Sequence, residues 1–326
     1  MSFRASGLHH ATAIAGRPQG NIEFYVRLLG LRLVKRTVNF DDPQTYHFYF
    51  GDQLGRPGSV VTFFPWLGAG PAVRGAGEAT ALALRVPPGA LDAWRARLDE
   101  HGVSHATTER FGAEVVAFTD PDGTPLELVE GAGGEPETWP GAPLPASQAV
   151  QGLHAATLLA PELDATAALL ERLGLARAAE ERDEAGTHAG RRRVRFADGD
   201  GLTHLDLLEA PERAPGRWGT GSIHHVALRA ADDDALAAAR ELLAELELNP
   251  TKAKDRHYFR SVYFQEPGGA VLEIATDGPG FTVDEPADEL GLGFRLPPWL
   301  EGERDFLRGR LPVTASPEYA DRFSRR

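Results

Sequence analysis

One pattern occurs four times along the 326-residue chain: a short apolar segment, an amphipathic stretch of helical period, then β-rich segments closed by a Gly- or Pro-containing turn. The first copy runs from LHHATAI through NIEFYVRLLGL to GRPGSVVTFFP, about residues 8–65. The second runs from ALALRVP through GALDAWRARLDEHGV to DPDGTPLELVEG, about residues 79–131. LHAATLL to DGDGLTHLDLLEA forms the third, about 152–209, and IHHVALR to EPGGAVLEIATD the fourth, about 222–277. The repeat predicts an α+β fold of four βαβββ modules, not an α/β or all-α one.

Local signals support the helices. Asn21, Asp164 and Asp232 sit at or near their starts, where a short side-chain acceptor satisfies free N–H groups. Gly30, Gly102 and Gly174 follow the last apolar position, where a left-handed residue ends a helix at little cost. YHFYF, EVVAFTD, RRRVRFADG and YFRSVYF read as strands. The Pro-rich TWPGAPLPASQ, residues 138–148, reads as a linker between an N-terminal half (1–137) and a C-terminal half (149–278). The tail, residues 279–326, is too apolar for disorder and is expected to pack, with a helix near 299–310.

Composition removes several functions. With no cysteine there is no disulfide, thiolate nucleophile or iron–sulfur cluster, so a metal must be held by nitrogen and oxygen. A formal charge of −13 argues against nucleic-acid or anionic-membrane partners. The N-terminus has no apolar run of signal-peptide length and no segment reads as a membrane span, which predicts a cytoplasmic protein.

The chemistry concentrates at matched positions of the repeats. Counting six residues from the turn proline places Phe63, Glu127 and Glu273 in equivalent positions, and Asp206 falls there in the third copy. On the starting strand, copies one, three and four carry His10, His154 and His225. Successive strand side chains face opposite ways, so only one histidine of each pair in LHHAT and IHHVA can reach a common site, and periodicity alone does not say which. Glu273 lies in the apolar run AVLEIATD, and a buried carboxylate needs a cation, a hydrogen-bond network or a proton. Two imidazoles and one carboxylate on neighbouring strands make the donor set of non-haem Fe(II) oxygenases. His101 and His204, by contrast, read as surface or hydrogen-bonded residues, and His154, Glu127 and Asp206 as a degenerate or structural set.

The motifs LHHATAIAG, LGLRLVKRTVNFDDPQTYHFYFGD, GSIHHVAL, DRHYFRSVYFQEPGGAVLEIATD and LGLGFRLPPWLE together resemble the vicinal oxygen chelate superfamily (glyoxalase/bleomycin resistance/dioxygenase). Within it the chain is similar over nearly its whole length to the hydroquinone-type ring-cleaving dioxygenases, the group that includes dichlorohydroquinone dioxygenase. The resemblance implies two cupped mixed β-sheets plus the C-terminal extension, with modules one and four paired around a metal. It implies His10, His225 and Glu273 as ligands of Fe(II) or Mn(II). It makes His9, His224, Arg256 and Tyr263 catalytic candidates and Thr12 a substrate contact, while His257, after Arg256, is a local departure from the family's pattern that is counted with the substrate contacts; Tyr49, Phe63, Tyr258 and Phe48 supply aromatic bulk that suits a substrate-binding pocket wall or core packing equally.

The implied reaction consumes an aromatic small molecule and O₂ and puts both oxygen atoms into a ring-opened acid. His9 or His224 would move a phenolic proton, Tyr263 would bond the reacting oxygen, and Arg256 would orient the second hydroxyl. A homodimer or larger homo-oligomer is expected by analogy. Two other readings stand beside this one: a glyoxalase-type metal-dependent isomerase or lyase, which needs a fourth ligand where this chain has Phe63, and a non-catalytic protein that binds an aromatic drug.

Overall fold

A computed structural model describes residues 3–133, 138–183 and 189–315. The limits set at residue 137 for the N-terminal half and at 326 for the tail fall outside the described residues. Module one contains β1 (Leu8–Ala15), α1 (Pro18–Glu23, continued by a π-turn over Phe24–Leu28), β2 (Arg32–Asn39), β3 (Asp42–Gly51) and β4 (Val60–Pro65). Module two contains β5 (Glu78–Val86), α2 (Leu91–Glu100), β6 (His105–Arg110), β7 (Ala113–Thr119) and β8 (Pro125–Glu130). Module three contains β9 (Gly152–Ala160), α3 (Asp164–Arg172), β10 (Ala176–Arg182), β11 (Arg192–Ala197) and β12 (His204–Glu209). Module four contains β13 (Ile223–Ala230), α4 (Asp233–Glu245), the short β14 (Lys254–Asp255), β15 (Phe259–Gln265) and β16 (Val271–Pro279).

Within each module the first strand lies parallel to the last, and the intervening strands are antiparallel, so each sheet is mixed. Between modules the first strands meet: β1 pairs antiparallel with β13, and β5 with β9. Two eight-stranded halves result, one from modules one and four and one from modules two and three. Among the described strands one ladder pair, Ile223 opposite Ala79, links β13 to β5, so the sixteen described strands form one continuous open sheet. β1 is buried along its whole length, so His9, His10 and Thr12 lie in the interior with its apolar residues.

The helix ends follow the expected chemistry in part. Asp232 caps α4, its carboxylate accepting from the Ala235 N–H at 2.9 Å. Asp164 is the first residue of α3 and favours that end by its charge alone. Asn21 is a correction: α1 starts at Pro18, which suits a first helical position, and Asn21 lies buried inside the helix with both amide atoms unpartnered. Gly102 ends α2 at φ +67°, letting Val103 N–H reach the Leu98 carbonyl at 2.8 Å. In α4 the same closure, Leu248 to Leu243, is made with Glu247 at φ +58°, a non-glycine residue that the sequence does not flag.

The Pro-rich segment 138–148 packs onto module one, where buried Trp139 donates its indole N–H to the Gly30 carbonyl at 2.8 Å. The tail lies against β2. Lys35, fully buried, binds Asp284 at 2.6 Å and also Glu285, while the Arg32 guanidinium donates to the carbonyls of Ala287 and Leu290. A short 3₁₀ turn (Pro298–Glu303) leads into α5 (Arg304–Arg310), held by buried Leu300 and Leu307. Among the described residues no helix is long and apolar enough to cross a membrane.

Candidate metal centre

Strand register assembles the site. His10 on β1 lies opposite Ala227 on β13, and Ala227 lies beside Glu273 on the parallel β16. His225, two residues before Ala227, points to the same face. The result is a cluster in which the ligand atoms of His10, His225 and Glu273 all lie within 4.8 Å of one another. Glu273 Oε2 is 3.1 Å from His10 Nε2 and 3.0 Å from His225 Nε2, and the two imidazole nitrogens are 3.3 Å apart. All three side chains are buried, Glu273 completely. Burial pushes the Glu273 carboxyl up, and it takes positive charge at the His10 and His225 imidazoles beside it to hold the group well below the usual carboxylate range.

The protons around His10 can be traced. His9 Nε2 lies 3.1 Å from the Thr276 carbonyl oxygen, which only accepts, so this nitrogen carries a hydrogen. Burial, with His10 beside it, lowers His9 to about 3, so the ring is neutral and its Nδ1 is bare. That bare nitrogen sits 2.8 Å from His10 Nδ1, which must therefore hold the hydrogen, leaving His10 Nε2 as a lone pair aimed at Glu273. A lone pair and a carboxylate thus face each other in the interior, and neither Glu273 oxygen has a well-formed hydrogen bond. A cation between them removes the conflict, and two nitrogens with one oxygen donor suit a first-row divalent metal. The second pair repeats the geometry, with His224 Nδ1 2.8 Å from His225 Nδ1.

The two histidines of the cluster lie on the floor of a cavity of about 290 Å³, with Glu273 buried behind them. Its walls are mostly aromatic: Phe40, Tyr49, Phe64, Trp66, Trp218 and Tyr263. Trp218 lies 4.4 Å from the His224 ring, and Tyr263 packs edge-on to His225 at 5.4 Å. Tyr263 is opposite Glu273 across β15 and β16, and burial beside that carboxylate raises its hydroxyl, which stays protonated. Arg256 stacks on the Tyr263 ring at 5.2 Å. Burial and the neighbouring His225 lower His224 to about 3.

The structure thus brings His10, His225, Glu273, His224, Arg256, Tyr263 and Tyr49 to one cavity. His9 is on the far side of the sheet, lining a smaller cavity with Tyr258. Thr12 is buried against Thr62 at 2.7 Å, and His257 lies beyond the wall next to Asp284. Phe63 does not line the cavity. It pairs with Ala13 and packs into the core against Tyr25, 4.5 Å away, with Phe48 and Phe50 nearby. The turn before β4 is one residue shorter than that before β16, so the counterpart of Glu273 is Thr62, and a slip of one residue turned the expected face around. His154 is corrected in the same way: Asp206 pairs with Thr157, which makes Ala155 the counterpart of His225 and His154 that of His224. Asp206 and Glu127 do share the register of Glu273, but arginines satisfy them. Arg195 grips Asp206 with two 2.8 Å bonds, and Arg110 lies 3.4 Å from Glu127.

His47 and Asp41 line the cavity without having been singled out. His47 Nδ1 is 2.8 Å from the Tyr49 hydroxyl and its Nε2 is 2.8 Å from Thr62 Oγ1, so a neutral network fills the place of a fourth ligand. The signal was available, because His47 lies two residues before Tyr49 on β3 and shares its face.

The chain belongs to the Glyoxalase/Bleomycin resistance protein/Dioxygenase superfamily, whose family model matches residues 7–128 and 152–274. It is 41% identical over 314 residues to a Bacillus subtilis (strain 168) protein provisionally named ring-cleaving dioxygenase MhqO, covering 96% of this chain and 98% of that one. It is 35% identical to the chlorohydroquinone/hydroquinone 1,2-dioxygenase of Sphingobium indicum, covering 93% and 95%. A crystal structure from B. subtilis, also provisionally titled a dioxygenase, superposes with a TM-score of 0.90 at 41% identity over 96% of this chain and 99% of that one. Glyoxalase I from Zea mays, at a TM-score of 0.61 and 15% identity over 83% and 92%, shares the fold alone.

Proposed function

We propose that the chain is a metal-dependent ring-cleaving dioxygenase of hydroquinone- or catechol-type substrates, with Fe(II), or Mn(II) in its place, held by His10, His225 and Glu273. The observation that carries this reading is the convergence of two imidazole nitrogens and one carboxylate oxygen, all buried, at the floor of an aromatic cavity sized for a single substituted ring. The names of its relatives point the same way. A ferrous ion supplies one-electron redox capacity and Lewis-acid polarisation of a phenolic oxygen.

The chain's own residues do the rest. Phe64, Trp66 and Trp218 offer apolar aromatic wall to the ring. Tyr263, held protonated, donates to an oxygen of the reacting end. His224, whose Nδ1 is engaged by His225, lines the cavity as a hydrogen-bonding group toward a phenolic oxygen, and Arg256 orients the far end of the ring. His9 is a positioning residue that fixes the His10 tautomer. Thr62, engaged by Thr12 and His47, offers no fourth charged ligand of the kind an isomerase reading needs.

The test is anaerobic reconstitution with Fe(II), followed by oxygen-electrode and absorbance assays with hydroquinone, catechol and halogenated analogues. Stoichiometric O₂ uptake with loss of the aromatic absorbance is expected. Iron-loaded protein that consumes no O₂ with any of them overturns the reading. His10→Ala and Glu273→Ala each lose the metal, whereas Glu127→Ala keeps it.

A further inference from the structure

We propose that Asp41 makes this cavity selective for uncharged rings, by occupying the two cations that a ring carboxylate would otherwise engage; the inference rests on the dioxygenase reading above. Asp41 stands between β2 and β3 and lines the cavity. Its Oδ2 lies 2.7 Å from Arg256 Nη2 and 3.0 Å from Lys254 Nζ, and Oδ1 lies 3.2 Å from the same ammonium. Both cations belong to module four and rest on one wall ring, that of Tyr263, at 5.2 Å and 5.7 Å. Among the described residues lining the cavity, Lys254 and Arg256 are the cations, and Asp41 is the one carboxylate besides Glu273 of the buried metal cluster.

The consequence is a matter of charge. A neutral dihydroxybenzene can enter while the trio stays intact. A carboxylate on the ring meets Asp41 first, and must either remain beside a like charge or displace it from donors already committed. Remove the Asp41 charge and the same wall presents two unneutralised cations, an anion-attracting surface. Asp41 is half exposed, so its ion pairs contribute little to folding and its charge can be changed without dismantling the sheet.

The test measures binding, not turnover. Fe(II)-loaded protein is titrated anaerobically by calorimetry with hydroquinone and with 2,5-dihydroxybenzoate, its carboxylated analogue. The native chain is expected to favour hydroquinone by about tenfold or more. Asp41→Asn shifts the ratio of the two Kd values toward the carboxylate by about tenfold, and adding Lys254→Gln takes back at least about a third of that shift on the energy scale. Asp41→Glu, which keeps the charge, retains the native preference and separates charge from loop shape. A native protein that binds the carboxylate more tightly, or an Asp41→Asn ratio within about threefold of native, overturns the proposal. O₂ uptake is read on the same preparations with hydroquinone: its absence overturns the dioxygenase reading, while the ratio of affinities still decides the role of Asp41.

Discussion

At the scale of single residues, the doubled histidines divide their work by ring nitrogen. The Thr276 carbonyl sets the His9 proton, His9 sets the His10 proton, and the lone pair left on His10 Nε2 faces Glu273. Loss of a partner that orients a metal ligand typically costs 10–100-fold in affinity. His9→Phe is therefore expected to weaken metal binding by roughly that factor in a calorimetric titration, whereas His9→Asn, whose side-chain oxygen can accept from His10 Nδ1, recovers much of it. Equal affinity for both variants and the native chain would show that His9 only fills space. Asp120 gives a second expectation, for stability. Burial raises its carboxyl from 3.8 to about 6, despite bonds from the Tyr25 hydroxyl and the Asp122 and Thr124 N–H groups. The folded state thus binds more protons than the unfolded one between these values, so this group's contribution falls as pH rises from about 4 to 6 and is constant above. The loss is on the order of 3 kcal/mol. In urea melts across that range Asp120→Asn should gain stability relative to the native chain as pH rises from about 4 to 6.

At the scale of elements, strands and helices were legible because their periods and caps are local. Register was not, since it depends on turn length. Phe63 and His154 were each placed one residue out, and one residue is enough to exchange core for cavity. Glu127 and Asp206 were correctly aligned with Glu273, but nothing in their own segments announced that Arg110 and Arg195 would neutralise them. The tail was expected to pack, but its anchor was invisible, because Lys35 and its partners Asp284 and Glu285 are some 250 residues apart. Lys35→Met removes the buried ammonium that joins the two carboxylates and leaves Glu285 only Arg295 and Asp284 only His257 as ion-pair partners. It should cost about 3–5 kcal/mol and raise protease sensitivity in residues 280–311, and urea melts with limited proteolysis check both.

At the scale of the whole molecule, four copies of one unit serve two ends. The half built from modules one and four has its inner positions filled by His10, His225 and Glu273, and the half from modules two and three has Ala81, Ala155 and arginine-paired acids in the equivalent register. Which repeats carry chemistry could be read in the sequence, since only two carry paired histidines. The cavity's far wall could not, because Asp41, His47, Trp66 and Trp218 come from loops and strands whose meeting depends on the completed sheet. In the proposed reaction O₂ is cleaved and both its atoms are kept. Turnover of hydroquinone by the Fe(II)-loaded protein under ¹⁸O₂, with mass spectrometry of the ring-opened product quenched before exchange, reads this directly. Two labelled atoms per product are predicted; a ring-opened product carrying one label or none would contradict the account.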